Sequence, residues 1–211
     1  MASRFMNIGL ICALAALVTG CLVPRSQEPV HTYLLGAQPG MWDSQPADAN
    51  QATRGVLLLS PLQAEPGFET PHMVYVTRAH EVSYYATNQW ADVPARMIMP
   101  LLIQSLERSG VWQAVAPMPS AVHGDYRLDA DGLVLQQEFL QQPSHVRLAL
   151  RLQLIALREG RVIATRRFEV VEPAPSDDPY GGVVAAGRAV SKLLDQAASW
   201  MRGCVNREVC R

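Results

Sequence analysis

The chain has 211 residues, 49% of them apolar and 18% charged, with 18 Lys and Arg against 19 Asp and Glu. That apolar content excludes general disorder, and the length provides for one well-buried core. A charge balance near zero argues against nucleic acid or an anionic lipid surface as an electrostatic partner.

Arg4 is the only charged side chain ahead of a stretch from Met6 to Val18 that is apolar or small except for Asn7. This layout predicts a secretory signal over residues 1–20. It is too short for a membrane span, which takes about 20 apolar residues. Val18-Thr19-Gly20-Cys21 then resembles the bacterial lipobox, in which small residues let the chain lie extended in a lipoprotein-specific peptidase. The resemblance implies cleavage before Cys21, a diacylglycerol thioether on its sulfur, and usually acylation of the new amino terminus. The competing reading is a buried cysteine at the end of a helix. At about 0.8 kcal/mol per buried methylene, one acyl chain holds a protein marginally and several hold it firmly. Leu22 rather than Asp after the cysteine resembles outer-membrane sorting and implies the periplasmic face of that membrane. Cleavage removes Arg4 and no acid, leaving 17 basic against 19 acidic side chains and a net charge of −2.

Residues 21–52 carry Pro24, Pro29, Pro39 and Pro46 and read as a flexible tether, with a possible short strand at 32–35 around Tyr33-Leu34-Leu35. The folded domain is expected over 53–203. Gly55 to Ser60 predicts a buried strand closed by Pro61, and His72 to Thr77 a second. The first helix is predicted after Asp92 as N-cap, with Pro94 in the first turn, Ile98, Leu101, Leu102 and Leu106 at helical spacing, and Gly110 as the stop. Pro100 interrupts this helix and predicts a kink near Arg96.

From Asp125 to Val171 the period changes to two. Tyr126, Leu128 and Ala130 share one phase, and Leu133, Leu135 and Phe139 the other, so Gly132 predicts a bulge. Val146, Leu148, Leu150, Leu152 and Leu154 alternate with Arg147, Ala149, Arg151 and Gln153, which predicts one buried and one wet face. Glu159-Gly160 supplies a hairpin turn, and Val162, Ala164, Phe168 and Val170 continue the apolar face, with Arg166 as an interruption. Asp178 and Pro179 then read as N-cap and N1 of a final helix. Its core stripe is Val183, Ala186, Val190, Leu193, Leu194, Ala197 and Met201, ending at Gly203. In the tail 204–211, Cys204 and Cys210 are expected to form a disulfide in an oxidising compartment, worth roughly 2 kcal/mol by chain entropy. A zinc site is the rival, with half its tetrahedral shell unfilled.

The stretch HMVYVTRAHEVSYYATNQWADVPARMIMPLLIQSLERSGVWQAV resembles the core of the ABC-type transport auxiliary lipoproteins, the group that includes paraquat-inducible protein C. Tyr33-Leu34-Leu35, Ser83-Tyr84-Tyr85, Trp90-Ala91-Asp92, Pro94, Pro100-Leu101-Leu102 and Ser109-Gly110 carry the resemblance, which extends over about residues 32–202. It implies an α+β single domain, a mixed or largely antiparallel sheet with two main helices packed on it. It also implies an MCE-domain protein with its ABC permease and ATPase as partners, in transport of lipids between the two membranes. A homo-oligomer is left open. A structural lipoprotein of outer-membrane assembly with a β-barrel partner is the alternative, and an enzyme comes third.

Catalytic patterns are incomplete. His80-Glu81 begins H-E-x-x-H, but Tyr84 stands where the second ligand is required, so no metal is expected. Asp125, Asp129 and Asp131 lack EF-hand spacing and read as solvated acids along a strand edge. No serine sits in a G-x-S-x-G elbow, and Lys192, the only lysine, lacks the glycines of a P-loop, so ATP hydrolysis belongs to another subunit. No cofactor is expected beyond the covalent lipid on Cys21. Tyr84, Tyr85 and Trp90 have two readings: contact with a partner or an acyl chain, or packing that fixes the start of the first helix.

Cys21→Ser is expected to abolish incorporation of radiolabelled palmitate into the protein. Undiminished label in that variant would refute the lipobox.

Overall fold

The computed structural model describes residues 28–36 and 54–206. In chain order these hold β1 (His31–Tyr33), β2 (Arg54–Leu59), β3 (His72–Arg78), β4 (Glu81–Trp90), α1 (Pro94–Arg108), β5 (Trp112–Pro117), β6 (Tyr126–Glu138), β7 (His145–Ala156), β8 (Arg161–Pro173) and α2 (Pro179–Asn206). The segment expected as a leader, Cys21 and most of the segment expected as a tether lie outside the described residues.

The long strand β6 organises the mixed eight-stranded sheet. One edge pairs antiparallel with β7 from Tyr126 to Glu138. The other edge is shared: Tyr126–Leu128 pair in parallel with β2, while Gln137 and Glu138 pair in parallel with β3. Between them Gln63 and Glu65 donate their N–H groups to the carbonyls of Ala130 and Leu133, so the chain stays bonded to β6 across the gap. β5 lies parallel outside β2, β4 antiparallel outside β3, and β1 parallel outside β4; β8 lies antiparallel outside β7. β2 is flanked on both edges, and its Leu57, Leu58 and Leu59 are all buried, the continuous apolar run expected of an interior parallel strand.

Both helices pack into the single core built on one face of this sheet. Leu148, Leu150, Leu152 and Leu154 of β7 join Ile98, Leu102 and Leu106 of α1 and Val190, Leu193 and Ala197 of α2 in that core. Ala185, Ala186, Ala189 and Ala197 are fully buried on α2, and such small side chains let the helix approach the strands closely. Asp178 accepts the Gly181 N–H at 2.6 Å and caps α2 with Pro179 at its first position. Gly132 has φ +68° beside the register shift between Asp131 and Val134; the bulge keeps Ala130 and Leu135 on the same face.

Several expectations are corrected. α1 begins at Pro94 with Val93 as its N-cap; the Asp92 carboxylate accepts the Val93 N–H and pairs with Arg96 at 2.9 Å. In keeping with the single helix expected there, α1 continues through Pro100 to Arg108. α2 runs past Gly203 to Asn206, so Cys204 is a buried helical residue and not part of a tail. The strand expected at 32–35 is β1, His31–Tyr33, bonded into the sheet, so the domain includes part of the segment read as tether. β4 and β5 were not anticipated. Val162 is 49% exposed because it opposes Ile155 while Ala164 opposes Leu154; the extra residue Ile163 rotates it to the outer face. Ala149, expected on the wet face, is 1% exposed; it sits mid-sheet between Val134 of β6 and Glu169 of β8.

The outer face of β6, β7 and β8 is laced by ion pairs. Arg147 donates to Glu138 on β6 at 2.6 and 3.0 Å and also pairs with Glu169 on β8. Burial pushes the Glu138 carboxyl up, but hydrogen bonds from Arg147 and Gln136 and the charge of Arg147 outweigh this and hold it below the usual carboxylate range. A carboxyl lowered by folding contributes stability above its unfolded pKa and loses it as pH falls through the folded value. Glu138→Gln is therefore expected to lower the melting temperature at neutral pH by about 2–4 °C, for a loss of about 1 kcal/mol in a domain of this size. The deficit should shrink as the wild type is acidified below the ordinary Glu pKa, measured by thermal denaturation against pH. A deficit constant from neutral pH to acid would refute the linkage.

Candidate interaction surface

Tyr84, Tyr85 and Trp90 all belong to β4, a strand rich in aromatic and β-branched residues, but the structure does not bring them to one surface. Trp90 is 3% exposed and belongs to the core together with Leu35, Ala95 and Leu135. Tyr85 is half-buried, its ring 4.6 Å from that of Tyr75, and its hydroxyl donates to Gln137 Oε1 at 3.1 Å. Tyr84 is 45% exposed, donates to the Gly67 carbonyl at 3.0 Å and meets the His72 ring edge-on at 6.2 Å. Of the three, Tyr84 has the most surface to offer a partner.

Gln137 is the polar residue that the sequence reading missed. It continues the buried phase of Leu133 and Leu135 and is 3% exposed. Its oxygen accepts the Tyr85 O–H, and its Nε2 donates to Ser144 Oγ at 3.0 Å and to the Asp178 carbonyl at 3.1 Å. One amide thus ties β4, β6, the β6–β7 connection and the cap of α2 together. Gly182 faces this amide, and a Cβ there would collide with its oxygen. Burial, with Tyr75 and Asp178 adding, pushes the Tyr85 hydroxyl well above its ordinary value, so it remains a neutral donor. The signal in the sequence was a glutamine in the apolar phase of a long strand, which means a satisfied buried amide once the segment is placed in the core.

The same end of the domain carries Tyr33, whose ring lies 6.3 Å from that of Tyr180 and whose hydroxyl donates to Asn88 at 3.0 Å. Tyr180 and Leu34 are largely exposed there. The cavity between β3, β6 and the first turn of α2, lined by Met73, Trp90, Gln137 and Gly182 among others, is about 10 Å³. That is room for one water and not for an acyl chain. An open cleft of about 450 Å³ at the other end of β6 is bordered by Gln113, Asp125, Arg158 and Glu159.

The three aspartates read as solvated are engaged, because β6 is an interior strand and not an edge. Asp125 accepts the Val56 N–H at 2.9 Å and pairs with Arg158 at 2.6 Å; Asp129 pairs with Arg127 and accepts the Ser60 hydroxyl; Asp131 pairs with Arg151 at 3.4 Å. His80, at φ +66°, and Glu81 sit at the β3–β4 turn, with Glu81 paired to Arg78. Among the described residues no three His, Cys, Asp or Glu side chains gather in a way that could hold a metal ion. Cys204 is buried near the end of α2; Cys21 and Cys210 lie outside the described residues.

Tyr85→Phe leaves the Gln137 oxygen without its donor and is expected to destabilise the domain by about 1–2 kcal/mol in urea unfolding. Tyr84→Phe, on an exposed side chain, should stay within about 0.5 kcal/mol. Equal effects of the two would contradict the assignment of Tyr85 as structural and Tyr84 as surface.

The match to known proteins is one of family and fold. No functionally curated protein matches the chain. A crystal structure of a DUF330 protein from Xanthomonas campestris superposes with a TM-score of 0.68 at 19% identity, covering 86% of this chain and 98% of that one. A hypothetical protein from Chlamydia trachomatis aligns with a TM-score of 0.50 at 10% identity, over 72% of this chain and 98% of the other. Both likenesses are of fold. The model of the family described as ABC-type transport auxiliary lipoprotein component matches residues 33–198, from the end of β1 into the last turns of α2. This chain belongs to the ABC-type transport auxiliary lipoprotein family.

Proposed function

We propose that the protein is a non-enzymatic auxiliary of an MCE-type ABC transport system that moves lipids between the inner and outer membranes. In this reading acyl chains on Cys21 anchor it at the periplasmic face of the outer membrane, and the folded domain engages the MCE-domain component with its permease and ATPase. The family match across β1 to α2 is the observation that carries the transport role. Placement of the anchor rests on the lipobox and Leu22.

Geometry supports a domain held close to its membrane. Cys21 precedes His31 by ten residues, and His31 is already paired with Asn88 in the sheet. Ten residues extend at most about 35 Å, comparable to the diameter of a small domain. The 10 Å³ cavity supports an adaptor that positions other components rather than one that carries an acyl chain in its core. Several charged side chains of the outer face are engaged in cross-strand pairs, such as Asp131 with Arg151 and Glu138 with Arg147, which supports a binding surface over a reaction centre.

Chemical crosslinking in native membranes, followed by mass spectrometry of the captured complexes, is expected to recover an MCE-domain protein together with the permease or ATPase. Recovery of β-barrel assembly components alone would overturn this function.

A further inference from the structure

The charges of the domain are unevenly placed. β7, its hairpin turn and β8 carry Arg147, Arg151, Arg158, Arg161, Arg166 and Arg167. At the opposite edge of the sheet, where β1 is the outermost strand and β4 the next, charge is almost absent. No Asp, Glu, Lys or Arg occurs over residues 29–36, 82–91 or 179–187, which are β1 with its flanks, nearly all of β4, and the first turns of α2. Charges return at the rim of this corner: Glu28, the pairs of Arg78 with Glu81 and Arg96 with Asp92, and the Asp178 that caps α2.

This uncharged corner is apolar and open to solvent. Among the described residues nine large apolar side chains are exposed, and five of them are here: Val30 and Leu34 beside β1, Val82 and Tyr84 on β4, and Tyr180 on α2. They gather around the sheet edge. Tyr33 pairs with Trp90 of β4, and its ring lies 6.3 Å from that of Tyr180. Val82 and Tyr84 alternate with Tyr85, which faces Gln137 on the helix side, so they flank the edge on its outer side while Tyr180 flanks it on the helix side. Between them the outer edge of β4 from Glu81 to Thr87 has no strand partner among the described residues. Unpaired backbone groups are excluded from hydrocarbon, but water and lipid headgroups at a membrane interface satisfy them. Tyrosine, with an apolar ring and a polar tip, favours that same depth.

We propose, resting on the acylated Cys21 of the function proposed above, that this corner lies in the headgroup region of the membrane that holds the anchor, with Val30, Leu34, Val82, Tyr84 and Tyr180 reaching toward the acyl boundary. The chain from Cys21 leads straight to it. Val30 follows Cys21 by nine residues, at most about 32 Å of extended chain, and β1 begins at the next residue. This edge is therefore the part of the sheet nearest the anchor along the chain. A surface without charge binds by burying apolar area and is indifferent to the sign of the lipid, so the contact is insensitive to salt.

The test uses the full-length acylated lipoprotein reconstituted into vesicles of phosphatidylethanolamine and phosphatidylglycerol that include a phospholipid with a photoactivatable diazirine near its glycerol. Flotation reads the anchor, and mass spectrometry of the illuminated protein locates the lipid adducts. Adducts are expected on Val30, Leu34, Val82, Tyr84 and Tyr180 at low and high salt, and not on Val162 or Val171, which are comparably exposed on β8. Leu34→Glu combined with Tyr180→Glu changes two largely exposed side chains and should lower the adduct yield at Val82 and Tyr84 by about tenfold or more, while the acyl chains keep the protein on the vesicles. Val171→Glu should leave that yield unchanged. In protein that floats, adducts spread evenly over the domain, an unchanged yield in the double variant, or no adducts at this corner would each overturn the contact and leave the anchor standing, the last result assigning the corner to a protein partner. A wild type that fails to float would remove the anchor together with the contact.

Discussion

Strand β6 has to satisfy backbone hydrogen bonds on both edges over thirteen residues, and it does so with three named strands. One edge is given wholly to β7. The other is divided between β2 and β3, with Gln63 and Glu65 bonded in between. Because two strands share that edge, the chain from Arg54 to Arg78 runs along β6 almost as a single ribbon, interrupted by the excursion around Gly67. The bulge at Gly132 lies across from this interruption. It corrects the phase of β6 so that Leu128 and Ala130 before it, and Leu135 and Gln137 after it, all face the helices. Without that correction half of the strand would present its apolar side chains to water.

The helical layer follows from this arrangement. β7 supplies an unbroken leucine stripe, and α2 meets it with alanines, so a 28-residue helix sits close enough to exclude water along its length. Its first turn is then located by chemistry rather than by packing alone. The Asp178 side chain caps the helix while its carbonyl accepts from Gln137, whose oxygen is held by Tyr85. A buried amide with all its partners present specifies one placement of the elements that supply them, since any slip leaves a desolvated polar group unpaired.

Membership of the transport auxiliary family gives this architecture its context. The domain combines a well-filled core on one face of the sheet with a charged outer face.

Much of the fold was legible because some periodicities are local. The alternation of Val146 to Leu154, the bulge at Gly132, the Glu159-Gly160 turn and the Asp178-Pro179 cap depend on residues within a few positions of one another. β4 and β5 were not legible: β4 mixes polar and aromatic residues without strict alternation, because its outer edge and one face stay partly wet, and β5 is too short to show a period. The Asp92 cap failed because its carboxylate turned to Arg96, and Gly203 did not end α2 because its closing turns pack Cys204 and Val205 into the core. Sequence alone therefore determined which segments are strands or helices where one face is continuously apolar, and it carried the family resemblance. Tertiary structure decided that β6 is interior, that its aspartates are paired, and that Trp90, Tyr85 and Tyr84 part company. Each of these depends on what a residue meets from a distant part of the chain, and hydrogen-bond partners far apart in sequence leave no local periodicity to read.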